Sequence, residues 1–247
     1  MELLDLYEQL KTNAYPGRGI VLGLAPSGKK ALIAYFIMGR SANSRNRVFD
    51  PVEAIGGIRT LAADPAKLED PSLIIYNPVR TVGENTHIVT NGDQTDTVYD
   101  FMAKGDSFEA ALHTRTFEPD GPNWTPRISG VVELAEGACS YKLSILKSAD
   151  GNGESCRRYF FEYPQPVAGE GHFLHTYKCD GSPIPSFEGE PERVAVPAGP
   201  EEFATGLWEA LDPDNKVSLF VRYIELATGE TEDVIINKYD AVWEEEE

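Results

Sequence analysis

At 247 residues, with 41% hydrophobic and 25% charged side chains, the chain is long enough to bury a core without disulfide staples. A formal charge of -18 disfavours nucleic acid and anionic membranes as partners, and no apolar run approaches the ~20 residues of a bilayer span. The three cysteines, Cys139, Cys156 and Cys179, form no CxxC pair, which argues against a zinc site or a disulfide framework and for a reducing cytoplasm.

The elements follow in chain order. Leu3, Leu4, Leu6, Tyr7 and Leu10 have helical spacing, so the acidic start reads as an amphipathic helix rather than a signal peptide. "YPGRG" turns the chain into two apolar runs, 19–24 and 31–38, joined by the Gly-containing turn "APSGKK". These runs predict adjacent antiparallel strands covered on both faces. "SLIIY" (72–76) and "HIVT" (87–90) read as further strands. "QTDTVYDFMAK" and "DSFEAALHTR" read as helices, the second with Asp106 as N-cap. Beyond Pro126 strands dominate: "ISGVVEL", "YKLSIL", "RRYFFEY" and "HFLHTYK", with loops at 148–155 and 164–171. The Pro- and Gly-rich segment 180–200 reads as ordered loop, followed by the helix "GPEEFATGLWEAL" and strands at "VSLFVRYIEL" and "DVIINKY". This alternation predicts stacked sheets with helices outside, in one domain over 1–243, and an acidic tail at 244–247.

Charge is unevenly spread. From Gln9 to Phe49 the chain holds none of its 40 Asp and Glu but seven of its 22 Lys and Arg, and Arg40, Arg45 and Arg47 fall within eight residues. Such an island reads either as a solvated basic face or as an anion site built on the planar donor fork of arginine. A small phosphorylated ligand suits an acidic protein better than a polyanion does. "YNPVR" (76–80), "TNGDQTD" (90–96) and "FEPDGPNWTPRI" (117–128) mix carboxylates, amides and arginine with turn formers. There is no GxGxxG, Walker loop, HExxH or GxSxG. His172 and His175 sit three apart in a predicted strand and so face opposite ways, as structural histidines.

Taken in order, "GRGIVLG", "GRSANSRNR", "IIYNPVRTVGE", "VTNGDQTDT" and "FEPDGPNWTPRIS" resemble the archaeal-type IMP cyclohydrolases. The resemblance is good over residues 17–135 and weaker through "HTYKCDG" and "IPSFEGEPERV". It implies an α+β, Ntn-hydrolase-like fold, a four-layer αββα sandwich that works without an N-terminal nucleophile. It implies a hydrolase acting on cyclic amidine C–N bonds, which closes 5-formamidoimidazole-4-carboxamide ribonucleotide to IMP in purine synthesis, with no metal or organic cofactor. The ligand would be a small purine ribonucleotide, and a homo-oligomer stays open.

By position within these motifs, Arg45, Tyr76 and Glu118 match the family's catalytic groups. Glu118 suits proton transfer, Tyr76 donation to the formyl oxygen, and Arg45 charge stabilisation or orientation. Asn77, Asn91, Asp120, Asn123 and Arg127 would line or support the pocket, and Arg40 or Arg47 would help hold the phosphate. The alternative on the same scaffold is a purine-nucleotide-binding protein without turnover. An amide hydrolase would need a nucleophile, and the three cysteines lie outside the matched motifs.

Overall fold

The structure is a computed structural model that describes residues 3–240, so the acidic tail at 244–247 lies outside the described residues. The elements run α1 (Leu6–Thr12), β1 (Arg18–Leu24), β2 (Lys30–Met38), α2 (Ala42–Arg45), β3 (Val48–Val52), β4 (Gly57–Leu61), β5 (Val79–Val82), β6 (Thr86–Thr90), α3 (Gln94–Met102) and α4 (Phe108–His113). They continue as β7 (Arg127–Ala135), β8 (Ala138–Ser148), β9 (Cys156–Tyr163), β10 (Glu170–His175), β11 (Glu192–Ala195), α5 (Pro200–Ala210), β12 (Lys216–Glu225) and β13 (Thr231–Asn237). The strands make two antiparallel sheets, β11-β10-β1-β2-β12-β13 and β3-β4-β5-β6-β7-β8-β9.

The apolar hairpin is the centre of the first sheet. β1 and β2 pair antiparallel with Ile20 opposite Tyr35, as the two runs predict. Alternation sorts their side chains. Ile20, Leu22, Ile33 and Tyr35 face the second sheet and meet Val89, Ile128 and Leu143 there. Val21, Leu32 and Phe36 face outward, where Leu6 and Leu10 of α1 and Phe203 and Leu207 of α5 cover them. A helix as short as α1 is marginal alone; burial of such side chains, roughly 1.5–3 kcal/mol each, holds it. On the outer face of the second sheet, Val98, Phe108 and Leu112 from α3 and α4 pack on Ile88, Val131 and Leu146. The sheets therefore face each other with helices on both outsides. Gly19 is required here, because a Cβ on it would lie 2.3 Å from Phe36. No helix of the described residues is long and apolar enough to cross a membrane.

Three expectations need correction. "SLIIY" is not a strand: Pro71 starts a turn in which Ile74 N and Ile75 N donate to Pro71 O. The segment then joins β4 at Thr60, whose hydroxyl donates to Ile74 O at 2.8 Å and accepts from Tyr76 N at 2.8 Å, and whose backbone N donates to Tyr76 O at 2.9 Å. The N-cap of α4 is Ser107, whose hydroxyl accepts from Ala110 N, while Asp106 N donates to Phe101 O in the link from α3. Segment 180–200 is not all loop, since Glu192–Ala195 forms the edge strand β11. The sequence reading also passed over β3, an edge strand interrupted by Pro51, and the short β4 and β5.

Candidate active site

One end of the sandwich gathers the charged side chains that the core should exclude. Arg18 opens β1, Arg47 precedes β3, Tyr76 lies between β4 and β5, and Glu118 sits in the loop that enters β7 at Arg127. All five are buried: Arg47 is 0% exposed and Glu118 2%. Tyr35 reaches them from the middle of β2, its hydroxyl 2.7 Å from that of Tyr76.

Arg18 Nη2 lies 3.5 Å from Glu118 Oε2. Arg47 donates through Nε to Ser44 O at 2.8 Å and through Nη2 to Met38 O at 3.4 Å. Three buried polar atoms here have no hydrogen-bond partner among the described residues: Arg18 Nε, Arg47 Nη1 and Glu118 Oε1. Buried charged groups are ordinarily fully bonded, because an unmade hydrogen bond to one is costly. Three unmade on neighbouring ions leave two donors and an acceptor there for a further polar partner.

Burial pushes the Glu118 carboxyl up; Arg18 and Arg127 pull it down, Asp120 adds a push and Arg47 a further pull. Burial lowers the Arg47 guanidinium from its ordinary value and the Tyr76 phenol opposes that. For Arg18, burial works against the charge, but Glu118 and three surrounding tyrosines raise it well above the ordinary value, so it stays protonated. The same surroundings hold Tyr35 well above the ordinary phenol range, burial first and Tyr76 next, so it stays a neutral phenol.

Local sequence explains how these groups are held. In "GRSANSR" the Ser41 hydroxyl accepts from Ser44 N and the Ser44 hydroxyl from Ser41 N, a capping box that fixes the single turn α2 before Arg47. The Glu118 loop is closed on itself: Glu118 N donates to Thr125 O at 2.9 Å, and Asp120 accepts from both the backbone and the hydroxyl of Thr125. Thr125 in turn meets the Tyr177 hydroxyl. Trp124 takes a left-handed φ of 46°, a conformation costing of order 1–3 kcal/mol, and its ring packs edge-on against Phe117.

The remaining expected site residues are placed as follows. Arg45 turns away from the cluster, its Nε 2.8 Å from Gly39 O and its Nη2 3.0 Å from Asn215 Oδ1, and it borders a cavity of about 440 Å³ with Asn46, Asp64 and Lys67. Arg40 lies over the Tyr15 ring with Nη1 2.6 Å from Asp180 Oδ1 and 2.8 Å from Gly181 O. Asn91 spends its amide on the fold, donating to Pro126 O and accepting from Gln94 Nε2 and Ile128 N, each at 2.9 Å. Asn123 Oδ1 accepts from Ile184 N at 3.2 Å. Asn77 Nδ2 is 3.4 Å from Asp96, the partner of Arg80. Arg127 Nη1 is 2.6 Å from Gln94 Oε1 and 2.7 Å from Asp93 Oδ1. Asn91, Asp120 and Asn123 thus tie loops and strand ends together.

Sequence reasoning missed Arg18, Tyr35 and Tyr177 as site residues. The legible signals were a lone charge and a lone hydroxyl within unbroken apolar strands. His172 and His175 do point to opposite faces: His172 Nδ1 meets the Tyr141 hydroxyl, and His175 Nδ1 donates to Tyr177 O, each at 2.7 Å. Cys139 makes a poor nucleophile, its thiol pushed up to about 11 by burial. Among the described residues no three His, Cys, Asp or Glu side chains are grouped as metal ligands. Residues 15–230 match the family described as IMP cyclohydrolase-like protein.

Proposed function

Because the chain belongs to the IMP cyclohydrolase-like family, we propose that it closes 5-formamidoimidazole-4-carboxamide ribonucleotide to IMP with loss of water, on an Ntn-hydrolase-like sandwich. The observation that carries this reading is the trio of unpartnered polar atoms on Arg18, Arg47 and Glu118, buried beside the Tyr35–Tyr76 hydroxyl pair. A base, two cations and a phenol donor in one dry site match the needs of the reaction.

The substrate carries both nucleophile and electrophile, so holding them in contact removes much of the barrier. Glu118 takes a proton from the carboxamide nitrogen as that nitrogen attacks the formyl carbon. The carbonyl electron pair moves onto the formyl oxygen. Tyr76, oriented by Tyr35, donates to that oxygen, and Arg47 and Arg18 stabilise its developing charge in a low-dielectric setting. In the second step the carbinol oxygen leaves as water. It carries off the proton first taken from the carboxamide and the one lost by the formamido nitrogen, and a C=N bond forms in its place. Glu118, poised upward by burial, suits a group that both accepts and returns a proton.

In this reading Arg45 orients the substrate from the rim, Asn77 and Arg127 support the floor, and Asn91, Asp120 and Asn123 fix the loops. The test is direct: incubate the purified protein with the formamido ribonucleotide and follow IMP formation. Turnover above the uncatalysed rate supports the cyclohydrolase. IMP binding without turnover replaces it with a purine-nucleotide-binding protein.

A further inference from the structure

The phosphate of such a nucleotide needs cations that are not already spent. Within the arginine island Arg40 is paired with Asp180 and Arg45 donates to Gly39 and Asn215, while Arg47, with Nη1 unpartnered among the described residues, serves the developing charge in the buried cluster on the reading proposed. In the cavity beside Arg45, Lys67 is 2.7 Å from Asp64. A second cavity of about 440 Å³ lies at the same end of the sandwich, between the β8–β9 turn and the segment after β10. Lys147, Arg157 and Lys178 line it, opposed by Asp150 and Glu188.

Lys147 and Arg157 are register partners across β8 and β9, so two cations stand directly opposite each other. Like charges in that position destabilise a sheet. Burial lowers the Lys147 ammonium from its ordinary value, Glu188 opposes this and Arg157 adds to it. The Lys147 ammonium is anchored on Phe187 O at 2.6 Å. Among the described residues the side chains of Arg157 and Lys178 have neither an ion pair nor a hydrogen bond. In a chain of net charge -18, three cations lining one cavity are a local concentration of positive charge.

The cavity is linked to the buried cluster through the Glu118 loop. Asn123 lines it, belongs to the Glu118 loop and is tied to Ile184 on the facing segment. Lys178 follows Tyr177, whose hydroxyl meets Thr125 of that loop.

We propose that Lys147, Arg157 and Lys178 form the subsite for the phosphate monoester of the nucleotide. The proposal rests on the reading of the cluster as a purine-nucleotide site. The test uses the full chain and calorimetric titration of IMP, inosine and inorganic phosphate. The proteins are wild type, the double variant Arg157→Gln/Lys178→Gln, and Lys104→Gln, an exposed cation elsewhere, as control. Loss of two charge-assisted contacts should weaken IMP by roughly 10- to 100-fold, with inosine and the control unaffected. Inorganic phosphate should compete with IMP on wild type and not on the double variant. A double variant that melts like wild type and binds IMP normally overturns the proposal. So does loss of inorganic phosphate binding with IMP affinity intact, which would make the pocket a site for a separate phosphate. If IMP affinity depends on the pocket and no substrate turns over, the subsite stands and the cyclohydrolase reading falls.

Discussion

Replacing Glu118 by Gln separates its chemistry from its packing. Oε2 faces Arg18 at 3.5 Å, while Oε1 has no hydrogen-bond partner among the described residues. Gln keeps the shape and an acceptor for Arg18 but cannot take or return a proton. If Glu118 moves the proton, turnover should fall by about 10²–10⁴-fold, a barrier increase of roughly 3–5 kcal/mol. The effect on stability follows from the sign of the shift. At 3.5 Å the attraction to Arg18 is about 5 kcal/mol gross at an effective dielectric of 20. The carboxyl is nevertheless raised, so burial outweighs that attraction together with the pull of Arg127 and Arg47. A raised folded value means that the fold favours the neutral form more than water does. The contribution of this carboxyl to stability is present at low pH and is lost as pH rises through its folded value. A neutral isostere should then cost no more than about 1 kcal/mol, or roughly 2–4 °C for a chain of this size. The assay measures kcat, KM and IMP affinity on one preparation of the variant, with a thermal melt. The wild-type rate should rise with pH through the elevated Glu118 titration, and that limb should vanish in the variant. Near-normal turnover in a folded variant would refute proton transfer. A fall in the melt beyond about 10 °C would refute the stability argument.

Tyr76→Phe should lower kcat by about 10²-fold, as loss of one oxyanion donor does, and Tyr35→Phe, which only frees the Tyr76 hydroxyl, by about tenfold; steady-state kinetics should preserve that order. His87 is pushed down to about 4, chiefly by burial and further by Arg222 against Asp233. The unfolded chain binds that proton from about pH 6.5, so stability is level above 6.5 and falls by about 3 kcal/mol as pH drops to 4. Urea melts of wild type and His87→Asn across that range should diverge by this amount. Asn91→Ala strands the carbonyl of Pro126 and Ile128 N and leaves the Gln94 amide only its bond to Ile128 O, and should cost about 2–4 kcal/mol in the same melts. KM should change little in that variant, in keeping with a residue that ties the fold together.

Local pattern carried the elements that depend on near neighbours. Two unbroken apolar runs around "APSGKK" specified the central hairpin, because period-two side chains on both faces demand cover from a sheet and from helices. Capping was legible to within a residue, Ser107 in place of Asp106. "SLIIY" looked like a strand by composition, yet Pro71 and the Thr60 side chain hold it as a turn, a competition that involves residues outside the segment. Arg40, Arg45 and Arg47 are close in sequence but point three ways, since only Arg45 lies in the single turn α2, while Arg40 precedes its N-cap Ser41 and Arg47 follows its C-cap Asn46. Convergence was decided by the tertiary structure alone. Arg18 and Glu118 are 100 residues apart and meet only because the first strand of one sheet packs beside a loop feeding the other. Burial was likewise not legible. It sets the titration of Glu118 and leaves three polar atoms unpaired, and both depend on how much water the rest of the fold excludes from that one point.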